Sequence, residues 1–268
     1  LWVRGILPKE MVMVRSAPIE EDELFGKAMY FHADDVQKEN MRVDAKLKKF
    51  FFKPGTYGTD ASGGPFGSYD FRRCTCGIVS VCEDTMEVLT GLSFPLPGEI
   101  QTVPRAELYA IKYLVCNCYC GIIDIASDSL TNVDTYNDRD KSKMQKSLNA
   151  DLWYKINKHC DEFGVKLLLR WVKGHLDTKA TEHVFSDHDF ALNFHADKFA
   201  DATSADAQVS AHDAAAVFHS IARVRKIQSR LVAILCSDTL DKVGQQYREP
   251  KVPRGVPIFD AQTNSAHV

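Results

Sequence analysis

Between residues 55 and 94, apolar and polar positions alternate in three runs separated by turn residues. GTYGTDASGGPFGS brings a strand into a glycine-rich turn. RRCTCGIVSV and EVLTGLSF have the β-branched alternation of antiparallel strands, with CEDT between them as a hairpin turn. The period then changes. From Arg105 to Cys118 the apolar positions Leu108, Ile111, Val115 and Cys118 fall on one helical face. GIIDIAS is a short, nearly continuous apolar run ending at a small polar pair, the signature of a buried parallel strand. SDSLTNVDTYN opens another helix, with Ser127 or Asp128 in position to cap it. NADLWYKINKHCDEFG is a further helix, apolar at Leu152, Ile156, Cys160 and Phe163 and stopped by Gly164. VKLLLRWV follows as a strand with Val165, Leu167, Leu169 and Trp171 on one face, Lys166 and Arg170 on the other. A long loop, GHLDTKATEHVFSDHDF, leads to a helix at about 191–202.

The predicted order is β-β-β-α-β-α-α-β-α, an α/β fold in which helices cover a mixed five-stranded sheet. Residues 1–52 mix apolar runs with charge and show no sustained period, so they are expected to be an extension or linker. Beyond 202, Ala214 to Cys236 forms a helix with Val217, Ile221, Val224, Leu231 and Leu235 in a stripe, packing being its default role. Arg223, Lys226 and Arg230 share a different face, and the last thirty residues are Pro-rich and polar, hence expected to be flexible. The expected divisions are therefore 1–52, 53–202 and 203–268.

Composition narrows the class. Of 268 residues 45% are hydrophobic and 26% charged, as in a globular protein. No run of about 18 apolar residues suggests a membrane span, and the N-terminus has neither the apolar core nor the cleavage site of a signal peptide. The expected location is intracellular, with nucleus and cytoplasm left open. Leu1 in place of an initiator Met suggests a fragment of a longer chain. The eight cysteines are then expected to be reduced thiols, and the Cys-x-Cys spacings at 74–76 and 116–120 fit zinc poorly. A net charge of −3 is not that of a simple nucleic-acid binder, yet an acidic pocket beside basic segments would give the same total. Such segments occur at KLKK (46–49), DRDKSKMQK (138–146) and RVRK (223–226).

Four carboxylates and a histidine recur in short, distinctive settings: Asp60 in GTDASGG, Glu107 in RAEL, Asp128 in SDSL, His175 in WVKGH and Asp197 in HADKFA. Taken singly each has a plain explanation, such as helix cap, first-turn acid or turn residue. As a set they fit one chemistry. Hydrolysis of a phosphodiester needs an activated water and neutralised phosphate charge, which two divalent cations about 3.5–4 Å apart can supply. Hard cations take oxygen ligands, so the protein must bring several Asp or Glu side chains together. Asp60 on the first strand and Asp128 at the end of the fourth would be neighbours, with Glu107 and Asp197 approaching from helices.

From about residue 53 to 202 these motifs, in this order, resemble a type 1 ribonuclease H. QTVPRAEL resembles the family's first-helix motif, and NADLWYKI with WVKGH the helix and strand that close its sheet. The resemblance implies that Asp60, Glu107, Asp128 and Asp197 hold two Mg2+ ions, with Mn2+ able to substitute. It implies that His175 on a mobile loop assists proton transfer or product release. It also implies an RNA/DNA hybrid as substrate, contacted through Thr102, Arg105, Asn193 and the backbone around Ser62. The implied activity is endonucleolytic cleavage of the RNA strand, leaving 5′-phosphate and 3′-hydroxyl ends. QTVPRAEL and the LW-RG start are also similar to ribonuclease H modules of retroelement polyproteins, which would place a reverse transcriptase in the same longer chain.

Two departures from the family pattern bear on function. Val103 and Pro104 replace the polar amides usual before the RAEL arginine, and the loop between His175 and Asp197 is longer than usual. The basic interval at 139–146 is interleaved with Asp138 and Asp140, so a hybrid-binding protrusion and a solvated mixed-charge surface both remain open. The alternative function is a catalytically inactive module that binds nucleic acid or a protein partner. A proofreading exonuclease would want Glu where Ser62 stands, and an integrase would want Glu where Asp197 stands.

Overall fold

The structure, a computed structural model, describes residues 18–33, 40–66, 71–138, 141–174 and 186–243, with side chains as far as residue 236. His175, Arg139, Asp140 and the C-terminal tail lie outside the described residues. The chain divides into two compact units. One takes in 18–66 and 72–208; the described part of the other is Phe71 and residues 209–243.

The larger unit begins with a 3-10 turn at Glu21–Glu23, helix α1 (Leu24–Lys27), edge strand β1 (Met29–His32) and a hairpin of β2 (Met41–Asp44) and β3 (Lys49–Phe52). Then come β4 (Gly55–Ser62), β5 (Thr75–Val81), β6 (Val88–Pro95), α2 (Val103–Cys116), β7 (Gly121–Ser127), α3 (Leu130–Asn137), α4 (Ser142–Lys146), α5 (Ala150–Phe163), β8 (Val165–Trp171), α6 (Asp187–Ala202) and α7 (Ser204–Ala207). The smaller unit holds α8 (Ala211–Val243).

The main sheet has strand order β1-β6-β5-β4-β7-β8, with β4, β7 and β8 parallel and the other pairs antiparallel. This is the expected mixed α/β sheet with one strand more. The sixth strand is β1, whose Met29–His32 pairs with Thr90–Ser93 along the free edge of β6. Three of its four residues are exposed, so burial imposes no alternation there and the segment carries no strand period. Residues 18–52 also contribute to the core: Leu24, Met41, Phe50 and Phe52 are buried among residues of β5, β6 and α2.

Helix α2 is buried almost all round: every residue from Leu108 to Val115 is buried, Lys112 among them. Its one buried cation, Lys112, lies 2.5 Å from Glu21, which also accepts from the Tyr109 hydroxyl at 3.0 Å. In β8 the alternation holds for Val165, Leu167 and Leu169 but not for Trp171, which is partly exposed at the strand end. Three helices start earlier than the sequence suggested, α2 at Val103 rather than Arg105, ending at Cys116. Helix α6 starts at Asp187, because the Ser186 hydroxyl accepts from the Asp189 amide and caps it. Helix α8 runs from Ala211 rather than Ala214.

The other face of the sheet is reserved for α6, and glycine makes the fit. Successive strands offer Gly58 and Gly77 beneath it; a Cβ on Gly58 would stand 2.5 Å from the Leu192 carbonyl oxygen, and one on Gly77 2.5 Å from the Ala200 amide nitrogen. Only bare backbone allows a helix so close to the sheet. That depth sets where the side chains of α6 arrive.

A candidate acidic metal centre

Parallel pairing of β4 with β7 places Thr59 opposite Ser127. The residues that follow, Asp60 and Asp128, therefore emerge side by side at the carboxyl ends of adjacent strands, where open α/β sheets generally place ligands. Glu107 comes from the second turn of α2, which crosses β4 and β5; a Cys76 thiol bonded to the Ala106 carbonyl holds the helix there at 3.3 Å. Asp60, Glu107 and Asp128 each present an oxygen within 4.8 Å of the others. Asp197, on α6, is close enough for its charge to act on Asp60.

Electrostatics in this pocket are one-sided. Burial pushes the Asp60 carboxyl well above the usual range, and the negative charges of Asp128, Asp197 and Glu107 push it further; the Ala61 amide, donating at 2.7 Å, opposes them. Burial likewise raises Glu107 to about 7, against the hydrogen bond from Ser129 and reinforced by Asp128. Carboxylates gathered at this spacing repel one another unless protons or a cation intervene. The donor set is all oxygen and suits a hard divalent cation such as Mg2+. The residues present therefore fit the expected metal.

Glu107 is the best supported of the three. The Ser129 hydroxyl donates to its Oε2 at 2.5 Å, and Asn132 Nδ2 donates to Ser129 Oγ at 2.8 Å. Ser129 is the N-cap residue of α3 but makes no side-chain cap bond, because its hydroxyl is directed to Glu107. The expected caps, Ser127 and Asp128, precede that position. Neither Ser129 nor Asn132 was singled out from sequence; the one available signal was their place in SDSLTN, directly after a carboxylate. The Asp128 backbone carbonyl accepts from Trp171 Nε1 at 3.2 Å, which ties the end of β7 to β8. Gly174, next in chain to His175, passes so near Asp128 that a Cβ there would collide with its carboxylate.

The expected substrate contacts are placed as follows. Thr102 caps α2 in extended conformation without a side-chain bond. Arg105 is bidentate on Asp151, at 2.7 and 2.9 Å, and also donates to Asn149 at 3.2 Å. Asn193 is buried on α6, one turn before Asp197, and its Oδ1 has no hydrogen-bond partner among the described residues. Ser62 ends β4, two residues beyond Asp60. Two further histidines near this loop, His188 and His195, are turned to the carbonyl of Val81 and to the backbone of Met86. The thiols of Cys74 and Cys76 are buried and pushed upward by that burial, Cys74 to about 12.

No protein-family model and no curated protein matches the chain. Among solved structures it is similar to LC11-RNase H1 in complex with an RNA/DNA hybrid, at 15% identity over 47% of this chain and 89% of that one, TM-score 0.34. LC9-RNase H1, described as a type 1 enzyme with the type 2 active-site motif, aligns at 16% identity over 64% and 85%, TM-score 0.38. RNase H1 from the archaeon Halobacterium salinarum aligns at 12% identity over 44% and 85%, TM-score 0.31. Fold and site together define a mixed α/β protein with a carboxylate centre at the strand ends.

Proposed function

We propose that the chain is a metal-dependent endonuclease that cuts the RNA strand of RNA/DNA hybrids and leaves 5′-phosphate and 3′-hydroxyl ends. The observation that carries this reading is the convergence of Asp60, Glu107 and Asp128, from two strands and a helix, to within 4.8 Å. Asp197 would complete the ligand set. A pair of divalent cations held by these groups supplies Lewis acidity to the scissile phosphate, a lowered pKa for the attacking water, and charge for the leaving oxygen.

The protein's own residues do the positioning. Ser129 and Asn132 fix the orientation of Glu107, and the paired strands fix Asp60 beside Asp128. Asn193, with a buried carbonyl oxygen awaiting a donor, is suited to a hydroxyl such as the 2′-OH that separates RNA from DNA. Thr102 and the Ser62 backbone would contact the same strand. Arg105 would meet a phosphate by exchanging part of its pairing with Asp151. His175 would take part in proton transfer or product release.

The test is substrate choice. End-labelled RNA annealed to DNA, to RNA, or left single-stranded is incubated with the protein and Mg2+, and the product ends are mapped. Internal cuts in the hybrid alone, with 3′-hydroxyl ends that a polymerase extends, are expected. Retained hybrid binding without cleavage in Mg2+ or Mn2+ would replace this reading with a non-catalytic nucleic-acid module.

A further inference from the structure

Helix α8 carries a charge distribution unlike the rest of the chain. From Ala214 to Cys236 there is no Asp or Glu, and there are four cations: Arg223, Arg225, Lys226 and Arg230. The whole chain is −3, so with these +4 set aside the remainder carries −7. At about 100° per residue, His219, Arg223, Lys226 and Arg230 fall within about 60° of arc and extend over about 16 Å of axis. All four are exposed. Among the described residues no carboxylate pairs with Arg223, Lys226 or Arg230. The neighbours along most of that face are small, Ala215, Ala216, Ala222 and Ala233, with Ile234 at its C-terminal edge, so a polyanion reaches the cations mainly over alanine.

The opposite face decides between kinds of anion. Val217, Ile221, Val224, Leu231 and Leu235 lie across the helix from the cations. This stripe is already withdrawn from solvent at its start: Ala214 and Val217 are buried, and Ile221 and Val224 are half-buried. A helix lying in a lipid surface would need that whole face for the acyl boundary. The apolar face is thus shared, packed over its first turns and open at Leu231 and Leu235, whereas the cationic face is exposed from His219 to Arg230.

We propose that the His219–Arg223–Lys226–Arg230 face of α8 binds the phosphate backbone of a nucleic-acid duplex, a second contact with substrate besides the acidic centre. This rests on the nuclease reading for the identity of the duplex. The chain runs from α6, which bears Asp197, to α8 through only eight residues, so a duplex held by α8 is kept at high local concentration around the catalytic unit. The contact reads charge rather than base sequence, and its affinity therefore follows salt.

The experiment uses the full chain and a variant, R223Q/K226Q/R230Q, in which Gln preserves helix propensity and circular dichroism checks the helix. Binding to a fluorescent RNA/DNA hybrid is measured by anisotropy in EDTA across a salt series, and cleavage is measured in Mg2+. The variant is expected to bind at least tenfold more weakly at low salt. Its slope of log affinity against log salt should fall by between 2 and 3, about 0.9 for each lost contact. KM should rise while kcat at saturating hybrid stays unchanged. The charge-keeping variant R223K/R230K should retain the wild-type slope. Equal slopes and equal affinities for wild type and triple variant overturn the proposal and leave the nuclease reading standing. Wild-type binding to phosphatidylserine/phosphatidylcholine vesicles that the triple variant loses, with hybrid affinity unmoved, also overturns it. Hybrid binding that depends on α8, without cleavage in any divalent metal, sustains the contact and refutes the nuclease reading instead.

Discussion

The backbone at Gly174 passes so close to Asp128 that any side chain there would occupy the space of its carboxylate; Cβ would also lie 3.2 Å from the Asp128 Cβ and Cγ. The glycine of WVKGH is thus a spatial requirement of the acidic centre. Gly174→Ala forces the carboxylate to rotate away from Asp60 and Glu107. Misplacement of about 1 Å costs on the order of 10²-fold in rate, and that loss in kcat is expected. The urea midpoint should stay near wild type, because the atom that yields is the end of a side chain.

Glu107 makes stability depend on pH when no metal is present. Its native carboxyl titrates at about 7, against about 4.3 in an unfolded chain. Between those values the native state binds more protons than the unfolded state. The stabilisation is complete below about 4.3 and is lost as pH rises through 7. In EDTA, wild type should therefore lose stability relative to Glu107→Gln over this window, by up to about 3 kcal/mol. Urea melts of the two proteins at pH 5 and pH 8 check it. At pH 8, Mg2+ should stabilise wild type more than the variant.

Gly77→Ala should be among the most damaging small substitutions. Its Cβ would press on backbone atoms of α6, Ala196 O and Ala200 N, which have no rotamer to yield. A loss of about 3 kcal/mol is expected, with rate falling further as Asn193 and Asp197 shift with the helix. Denaturant unfolding and cleavage assays on the same preparation separate the two effects.

Arg170 joins three elements. From β8 it donates to Asp124 of β7 at 2.7 Å and to Asp189 in the first turn of α6 at 2.5 Å. Its side chain is 38% exposed, so solvent screens the pairs. Arg170→Met should cost only about 1–2 kcal/mol, but it leaves the start of α6 without its anchor. Faster amide exchange over residues 187–193 is the expected sign. Exchange matching wild type there would remove Arg170 from the positioning of that helix.

Strand periods, the glycine stop of α5, now seen in the left-handed conformation at Gly164 with φ 67°, and the carboxylate motifs were legible in the sequence because local residue pattern determines them. The convergence of Asp60, Glu107 and Asp128 was anticipated from motif order. What stayed hidden depends on contacts between distant segments. β1 shows no alternation because it lies at an edge with little to bury. The hairpin β2–β3 reads as charge and Phe until Phe50 and Phe52 enter the core. Ser129 carries no distinguishing mark in the sequence, where Ser127 or Asp128 reads as the cap, and only the arrival of Glu107 from 22 residues away gives its hydroxyl a partner.

The central claim is that the acidic cluster hydrolyses RNA paired to DNA, and Asp128→Asn tests it most directly. The substitution keeps shape and removes one negative charge from the cluster. Cleavage of an end-labelled hybrid in Mg2+ should fall by at least three orders of magnitude, while hybrid affinity in EDTA and the urea midpoint are retained or improved by the relief of repulsion around Asp60. Cleavage by Asp128→Asn at the wild-type rate would contradict the account, because the activity would then arise elsewhere in the chain.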